Sequence, residues 1–192
     1  MSDSMTYNVY SDAGALLEPS QIYDPAAVAA DLSLVPSKPG IYSWWSNTSL
    51  PELSLDGCLM HDGRRLLYVG ICPNGPNSST KRTLRHRMKE HCRGPIRRST
   101  LRRALASLLK GELGLQVAKG ADGKPLLLGD GEELLSRWMS DHLRVAWMDH
   151  PTPWVLEAEV IRTIALPLNV MGNSNPNSVL LRQRRAELQI RP

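Results

Sequence analysis

Two short apolar runs, each closed in by chain breakers, restrict this sequence more than anything else in it. "SKPGIYSWWS" at 37–46 passes from Pro39 and Gly40 into an aromatic strand, and "RRLLYVGICPNGP" at 64–76 repeats the plan before a glycine and proline loop. Each run carries one tyrosine, Tyr42 and Tyr68, among residues that read as core. Strands favour aromatic side chains, so either tyrosine taken alone is explained by packing. The chain between the runs is longer than a tight hairpin needs, and an ornament or a binding loop is expected there.

Beyond the second run the chain is mostly helical. Ser79 or Thr80 is placed to cap a helix to about Cys92, and Ser99 or Thr100 a second one in which Leu101, Ala104, Leu105, Leu108 and Leu109 keep the helical period as far as Gly111. A glycine-rich stretch with a small hairpin through "KPLLLG" leads to a short helix at 132–141, then "HLRVAWM" reads as a strand and Thr152-Pro153 open a helix to about Leu166. Strands first, then helices, then one more strand and helix exclude both a long βαβ alternation and an all-helical bundle. The expected organisation is an extension at 1–36 with one short helix capped by Asp24, a core at 37–172 enlarged by an insertion at 111–141, and a basic helix within 173–192.

Length and composition narrow the setting. A chain of 192 residues with 42% hydrophobic residues suits one globular domain. It shows no apolar run long enough to span a membrane and no export signal at its start, and its three cysteines fall in no metal or disulfide spacing. A cytoplasmic protein without membrane contact is expected. The net charge of +4 is modest, but between Lys81 and Arg103 stand ten Lys or Arg against one acid, Glu90. Such a segment suits a polyanion, because each phosphate neutralised releases condensed counterions; a solvated basic face explains the composition equally well. Arg82, Arg85, Arg98, Arg102 and Arg103 are the candidate contacts to a DNA backbone.

One carboxylate is out of place. In "PWVLEAEVIRTIAL", Leu156, Val160, Ile161 and Ile164 form an apolar stripe, and Glu157 falls inside it, whereas Glu159 lies across the helix near Arg162. A buried carboxylate without partners costs several kcal/mol by order of magnitude, so a cation, a hydrogen-bond network or a metal should meet Glu157, unless the helix sits at a sheet edge and lets it reach water. Arg87 and His91 are four residues apart and share a helical face with Leu84 and Met88.

Taken in order, Gly40-Ile41-Tyr42, Tyr68-Val69-Gly70, Arg87 and His91 in "LRHRMKEH", and Glu157 and Asn169 in "LEAEVIRTIALPLN" resemble the GIY-YIG nuclease family. The resemblance covers roughly residues 39–170. It implies an α/β (α+β) domain, a small central three-stranded antiparallel sheet flanked by helices, and cleavage of DNA phosphodiesters with a divalent cation, Mg²⁺ or Mn²⁺. By the same resemblance Tyr42, Tyr68, Arg87, His91, Glu157 and Asn169 are the catalytic set, with Glu157 the metal ligand. A lone carboxylate suits one hydrated Mg²⁺ better than a two-metal cluster. Arg87 would grip phosphate, Tyr42 would activate water directly or through His91, Tyr68 would position phosphate or water, and Asn169 would fix the local loop or a ligand. A binding module of the same fold without turnover would explain the basic tract but not the carboxylate. Whether two copies meet on DNA as a homodimer to cut both strands stays open. The sequence departs from the family pattern in YVG for YIG, a longer loop before the arginine helix, and the insertion.

Overall fold

The computed structural model describes residues 12–78, 82–172 and 175–188. In chain order the elements are α1 (Gly14–Leu17), α2 (Pro25–Ala30), β1 (Gly40–Ser46), β2 (Met60–His61), β3 (Arg64–Cys72), α3 (Leu84–Arg93), α4 (Thr100–Leu109), β4 (Val117–Lys119), β5 (Pro125–Leu127), α5 (Gly131–His142), β6 (Leu143–Asp149), α6 (Pro153–Thr163) and α7 (Asn177–Glu187). The helix expected to run from a cap at Ser79 or Thr80 begins instead at Leu84, with Thr83 at the N-cap position; Ser79 and Thr80 themselves lie outside the described residues. At Asp24 and Ser99 the expected caps form: each side-chain oxygen accepts a backbone N–H of the first turn, from Ala26 and Arg102 respectively. No described helix is long and apolar enough to cross a membrane.

The sheet has four strands in the order β2-β3-β1-β6, all antiparallel, where three were expected. The added strand is two residues long and lies in the connection between the two aromatic runs, too short to show any alternation. β1 is central and every one of its residues is buried, since β3 and β6 flank it and both faces are covered. Tyr42 and Trp44 face one apolar cluster with Tyr68 and Leu67, while Ile41 and Trp45 face the other with Leu66, Val69 and Ile71. A bulge sorts them: Trp44 pairs with Tyr68 but Trp45 with Leu66, so Leu67 is extra on β3.

The first face is covered by α3, α4, α5 and α7 through residues such as Leu84, Leu105, Leu135 and Leu181; the second by α1 and α6 through Leu16, Leu17, Leu156 and Val160. The segment before β1 is thus part of the layers, and Tyr23 also exchanges backbone hydrogen bonds with Val145 of β6 in both directions, at 2.8 and 3.0 Å. Both motif glycines have a steric reason. A Cβ at Gly40 would collide with the Met148 carbonyl and with Leu84, and one at Gly70 would collide with the Tyr42 hydroxyl. Tyr42 stands directly across the ladder from Gly70, and its ring takes the space a side chain would fill.

Candidate active site

A cavity of about 780 Å³ opens where the sheet, α6 and α7 meet, and Tyr42, Tyr68, Arg87, Glu157 and Asn169 all line it. Five of the six residues expected to act together therefore share one hollow. The sixth, His91, is fully buried behind Tyr42. Its Nε2 lies 2.8 Å from the Tyr42 hydroxyl, and its Nδ1 lies 2.7 Å from Ser99 Oγ. Any part His91 plays has to pass through Tyr42.

Arg87 is wired into the same wall. Its Nε donates to the Tyr42 hydroxyl at 3.1 Å, and its Nη1 donates to Glu90 Oε2 at 3.2 Å and to the Arg98 carbonyl at 3.1 Å. The four-residue spacing of Arg87 and His91 on α3 brings both groups to one phenol oxygen. Burial raises the Tyr42 hydroxyl well above its usual value near 10, and Arg87 opposes that rise. Burial also holds His91 well below its usual 6.5, with Arg87 and then Arg102 acting in the same direction. Tyr42 is consequently a phenol and His91 a neutral imidazole in the free protein.

Two tautomers of His91 satisfy this chain. With the proton on Nδ1, His91 donates to Ser99 and Nε2 can receive the Tyr42 hydrogen. With the proton on Nε2, Ser99 donates to Nδ1, and Tyr42 directs its hydrogen into the cavity. Ser99 is the missing member in both. The sequence marks it as a helix cap, and the structure uses one oxygen for two tasks, since Ser99 Oγ also accepts the Arg102 N–H at 3.0 Å.

Opposite lies Glu157. Among the described residues it has no hydrogen bond or ion pair, and burial, partly offset by Arg87, raises its carboxyl from the usual 4.5 to about 7. Leu156 and Val160 are buried beside it, while Ile161, one turn on, lines the cavity with it. Glu159 pairs with Arg162, which also lines the cavity. Asn169 does not reach for a ligand: its Oδ1 accepts the Val69 N–H at 3.0 Å and its Nδ2 donates to the Val69 carbonyl at 2.8 Å, clamping β3 between Tyr68 and Gly70. The Tyr68 hydroxyl is 3.1 Å from Thr100 Oγ1.

No group of three His, Cys, Asp or Glu that could enclose a metal occurs among the described residues. A closed protein cage is therefore not the fit to consider. Mg²⁺ keeps several waters and is held by one or two carboxylates with substrate phosphates, and the half-buried Glu157 carboxyl, without a partner among the described residues, is a donor that suits such a site.

The basic tract divides. Arg82 and Arg98 are exposed, and Arg82 pairs with Glu90 at 3.3 Å. Arg85 turns inward, its Nε on the Val35 carbonyl at 2.9 Å. Arg102 does not belong among the DNA contacts: it is fully buried, with its guanidinium on Glu132 Oε2 at 2.9 Å, the Glu132 carbonyl at 3.0 Å and the His91 carbonyl at 3.3 Å. Helix α4 is covered on almost every side, so position 102 has no route to solvent. Arg103 is half-buried and donates to the Arg97 carbonyl at 3.0 Å. A residue from outside the expected set, Arg185 of α7, lines the cavity beside Tyr68 and Thr100.

Among known proteins, neither a curated protein nor a solved structure matches the chain. The family model described as the GIY-YIG catalytic domain matches residues 40–189, from the first motif glycine through α7, which extends the resemblance past residue 170. A GIY-YIG domain is a nuclease domain and implies a nucleic acid substrate. With the match spanning most of the sequence, this chain belongs to the GIY-YIG catalytic domain family.

Proposed function

We propose that the protein is a divalent-metal-dependent DNA endonuclease that hydrolyses phosphodiester bonds with one metal ion at Glu157. The observation that carries this reading is the half-buried carboxyl of Glu157, without a hydrogen bond or ion pair among the described residues, sharing one cavity with the Tyr42–Arg87 pair. A plain packing role supplies no reason to hold a carboxyl there. The unpaired state of Cys58, Cys72 and Cys92 supports a cytoplasmic setting.

Arg87 already spends Nε on Tyr42 and Nη1 on Glu90 and the Arg98 carbonyl, which leaves Nη2 to meet a phosphate oxygen and to counter the charge that grows on phosphorus. Tyr42 accepts a proton from the attacking water as its own hydrogen passes to His91 Nε2. The imidazolium so formed keeps its Nδ1–H on Ser99. In the free protein burial, and after it Arg87 and Arg102, disfavour that cation; an incoming phosphate offsets the Arg87 part of this. Tyr68 orients the phosphate with its hydroxyl, and Asn169 holds the strand that carries it. Bound at Glu157, Mg²⁺ or Mn²⁺ supplies Lewis acidity that shields the phosphate and eases departure of the leaving oxygen.

One such cavity cuts one strand per visit, so nicked circles should precede linear product; two copies on DNA would give double-strand cleavage. The test is supercoiled plasmid with Mg²⁺. Nicking that disappears with EDTA, and separately with Glu157→Gln, supports the enzyme. Retained DNA binding with no cleavage by the unaltered protein would identify a binding module of the same fold and end the catalytic reading.

A further inference from the structure

Helix α7 contributes a charge that meets no carboxylate among the described residues. Arg185 on α7 and Arg103 on α4 have no carboxylate partner among the described residues: Arg185 Nη2 donates to the Thr100 carbonyl at 3.2 Å, and Arg103 Nη2 to the Arg97 carbonyl at 3.0 Å. Both Nε atoms are buried without a hydrogen-bond partner among those residues. The two cations also oppose each other. Burial, chiefly, makes the charge on Arg185 less favourable; nearby Tyr68 acts against that effect and Arg103 adds to it.

Placing two like charges close together, each with a desolvated donor left over, is unfavourable unless an anion joins them. Nothing suggests that α7 is loosely held and only rests there. Leu181 is fully buried, Asn177 exchanges hydrogen bonds with the backbone of Ser54 at 3.1 and 2.7 Å, and Arg184 bonds to Glu52 and Glu187. Arg184 thus has two acids where Arg185, next in sequence, has none. Arg185 is joined to the cavity as well, because the residue whose carbonyl it touches, Thr100, also holds the Tyr68 hydroxyl. A guanidinium fork matches phosphate oxygens in pairs, and the Nη1 groups of both arginines, which make no hydrogen bond among the described residues and are not sealed as Nε is, suit a phosphodiester better than a base edge or a neutral sugar.

We propose that Arg185 and Arg103 form a second phosphate subsite, holding the phosphodiester next to the scissile one in the same DNA strand. It rests on the nuclease reading for the identity of the anion and for the direction of the strand, which runs from Arg87 and Glu157 past Tyr68 to α7. The C-terminal helix then sets how the strand lies across the cavity.

The test is duplex DNA binding as a function of salt, in a Glu157→Gln background without divalent cation, after thermal unfolding confirms that each variant is folded. Replacing both arginines, Arg103→Gln with Arg185→Gln, should lower the salt slope by about 0.9, one phosphate's worth, while the Lys pair at these positions keeps it. An unchanged slope in the Gln pair overturns the subsite and leaves the nuclease reading standing. Loss of slope in a protein whose unaltered form never cuts DNA upholds a backbone-phosphate site at these two arginines but ends the nuclease reading and, with it, the place of that site beside a scissile bond; no DNA binding at all ends both. Should the Gln pair not fold, single neutral methylphosphonates placed along the duplex ask the same question of the unaltered arginines. Weaker binding at one position beside the cut supports the subsite; a uniform effect, or none, overturns it. Inorganic phosphate alone is the remaining arm: stabilisation by it that depends on both arginines, with the DNA slope unchanged, would show a free-anion site and reject the assignment.

Discussion

The two walls of the cavity differ in how their charges are satisfied. On one, Arg87, Tyr42, His91 and Ser99 form an unbroken chain of hydrogen bonds, each group held by the next and closed at the far end by a helix cap. On the other, among the described residues, Glu157 has no hydrogen bond or ion pair, and Arg185 has only a carbonyl for one of its nitrogens. A wall already satisfied is fixed before any ligand arrives, which is what proton transfer and phosphate alignment require. On the proposed reading, a wall left unsatisfied is completed only when a cation and phosphates enter. On the nuclease reading proposed above, the first wall does the chemistry and the second gathers the reactants, and each part of that reading can be tested by removing one group.

The largest effect is expected from Arg87→Lys. The charge survives, but an ammonium cannot bond Tyr42, Glu90 and the Arg98 carbonyl through separate nitrogens of a planar fork while leaving one free for phosphate. Plasmid nicking should fall by about 10²–10³, the cost typical of losing one preorganised donor to a transition state. DNA affinity should change far less. A parallel loss of binding and cleavage would show that Arg87 serves mainly to attract DNA, and the walls would no longer differ in kind.

Next comes stability, read on the opposite wall. Glu157 in the folded protein titrates near 7 instead of 4.5, so between those values the folded state holds a proton that the unfolded state has released. Stability therefore falls as pH rises through that window and levels off above it. A shift of that size corresponds to ~3 kcal/mol, and partial exposure reduces it to roughly 1–2 kcal/mol. Glu157→Gln removes the effect, so the variant should be more stable than the parent by that amount at pH 8 and close to it at pH 5. Urea unfolding at the two pH values measures the difference, and the contribution of buried His91, common to both proteins, cancels. Equal stability at both pH values would mean that Glu157 is satisfied in solution.

The sequence discloses the walls unevenly. Glu157 could be read because it falls inside an apolar stripe of clear helical period, and Arg87 because it shares a helical face with Leu84, Met88 and His91, whereas Tyr42 and Tyr68 read as packing residues until the family resemblance singles them out. Arg102 and Arg103 show where this stops. They are identical neighbours on one helix, yet one is sealed against Glu132 and the other is half-exposed, because α5 and α7 arrive from later in the chain to cover α4. No local pattern carries that information. Arg185 is hidden for the same reason: the helix around it reads as plainly basic, and only the docking of α7 on α4 separates Arg185 from Arg184. β2 escapes notice by being too short, while the longer elements fall close to their expected positions.

Ser99→Ala is the smallest change and bears on the far end of the wired wall. Losing the cap alone should cost ~1 kcal/mol of stability, a deficit that would appear whatever His91 does. The same hydroxyl, however, is the Nδ1 partner of a fully buried imidazole, and without it His91 is no longer held in one tautomer or ring position. Turnover at saturating DNA should then drop by about tenfold, within the range assigned to acid–base assistance, with KM little changed. The deciding readout is the pH profile. If Ser99 is only a cap, the variant loses stability while its acid limb stays where the parent has it. If Ser99 orients the proton acceptor behind Tyr42, the limb moves, because a freed imidazole accepts protons over a different range. Recovery of both rate and profile in Ser99→Thr, which restores the cap and the hydroxyl together, would tie the two roles to the one oxygen.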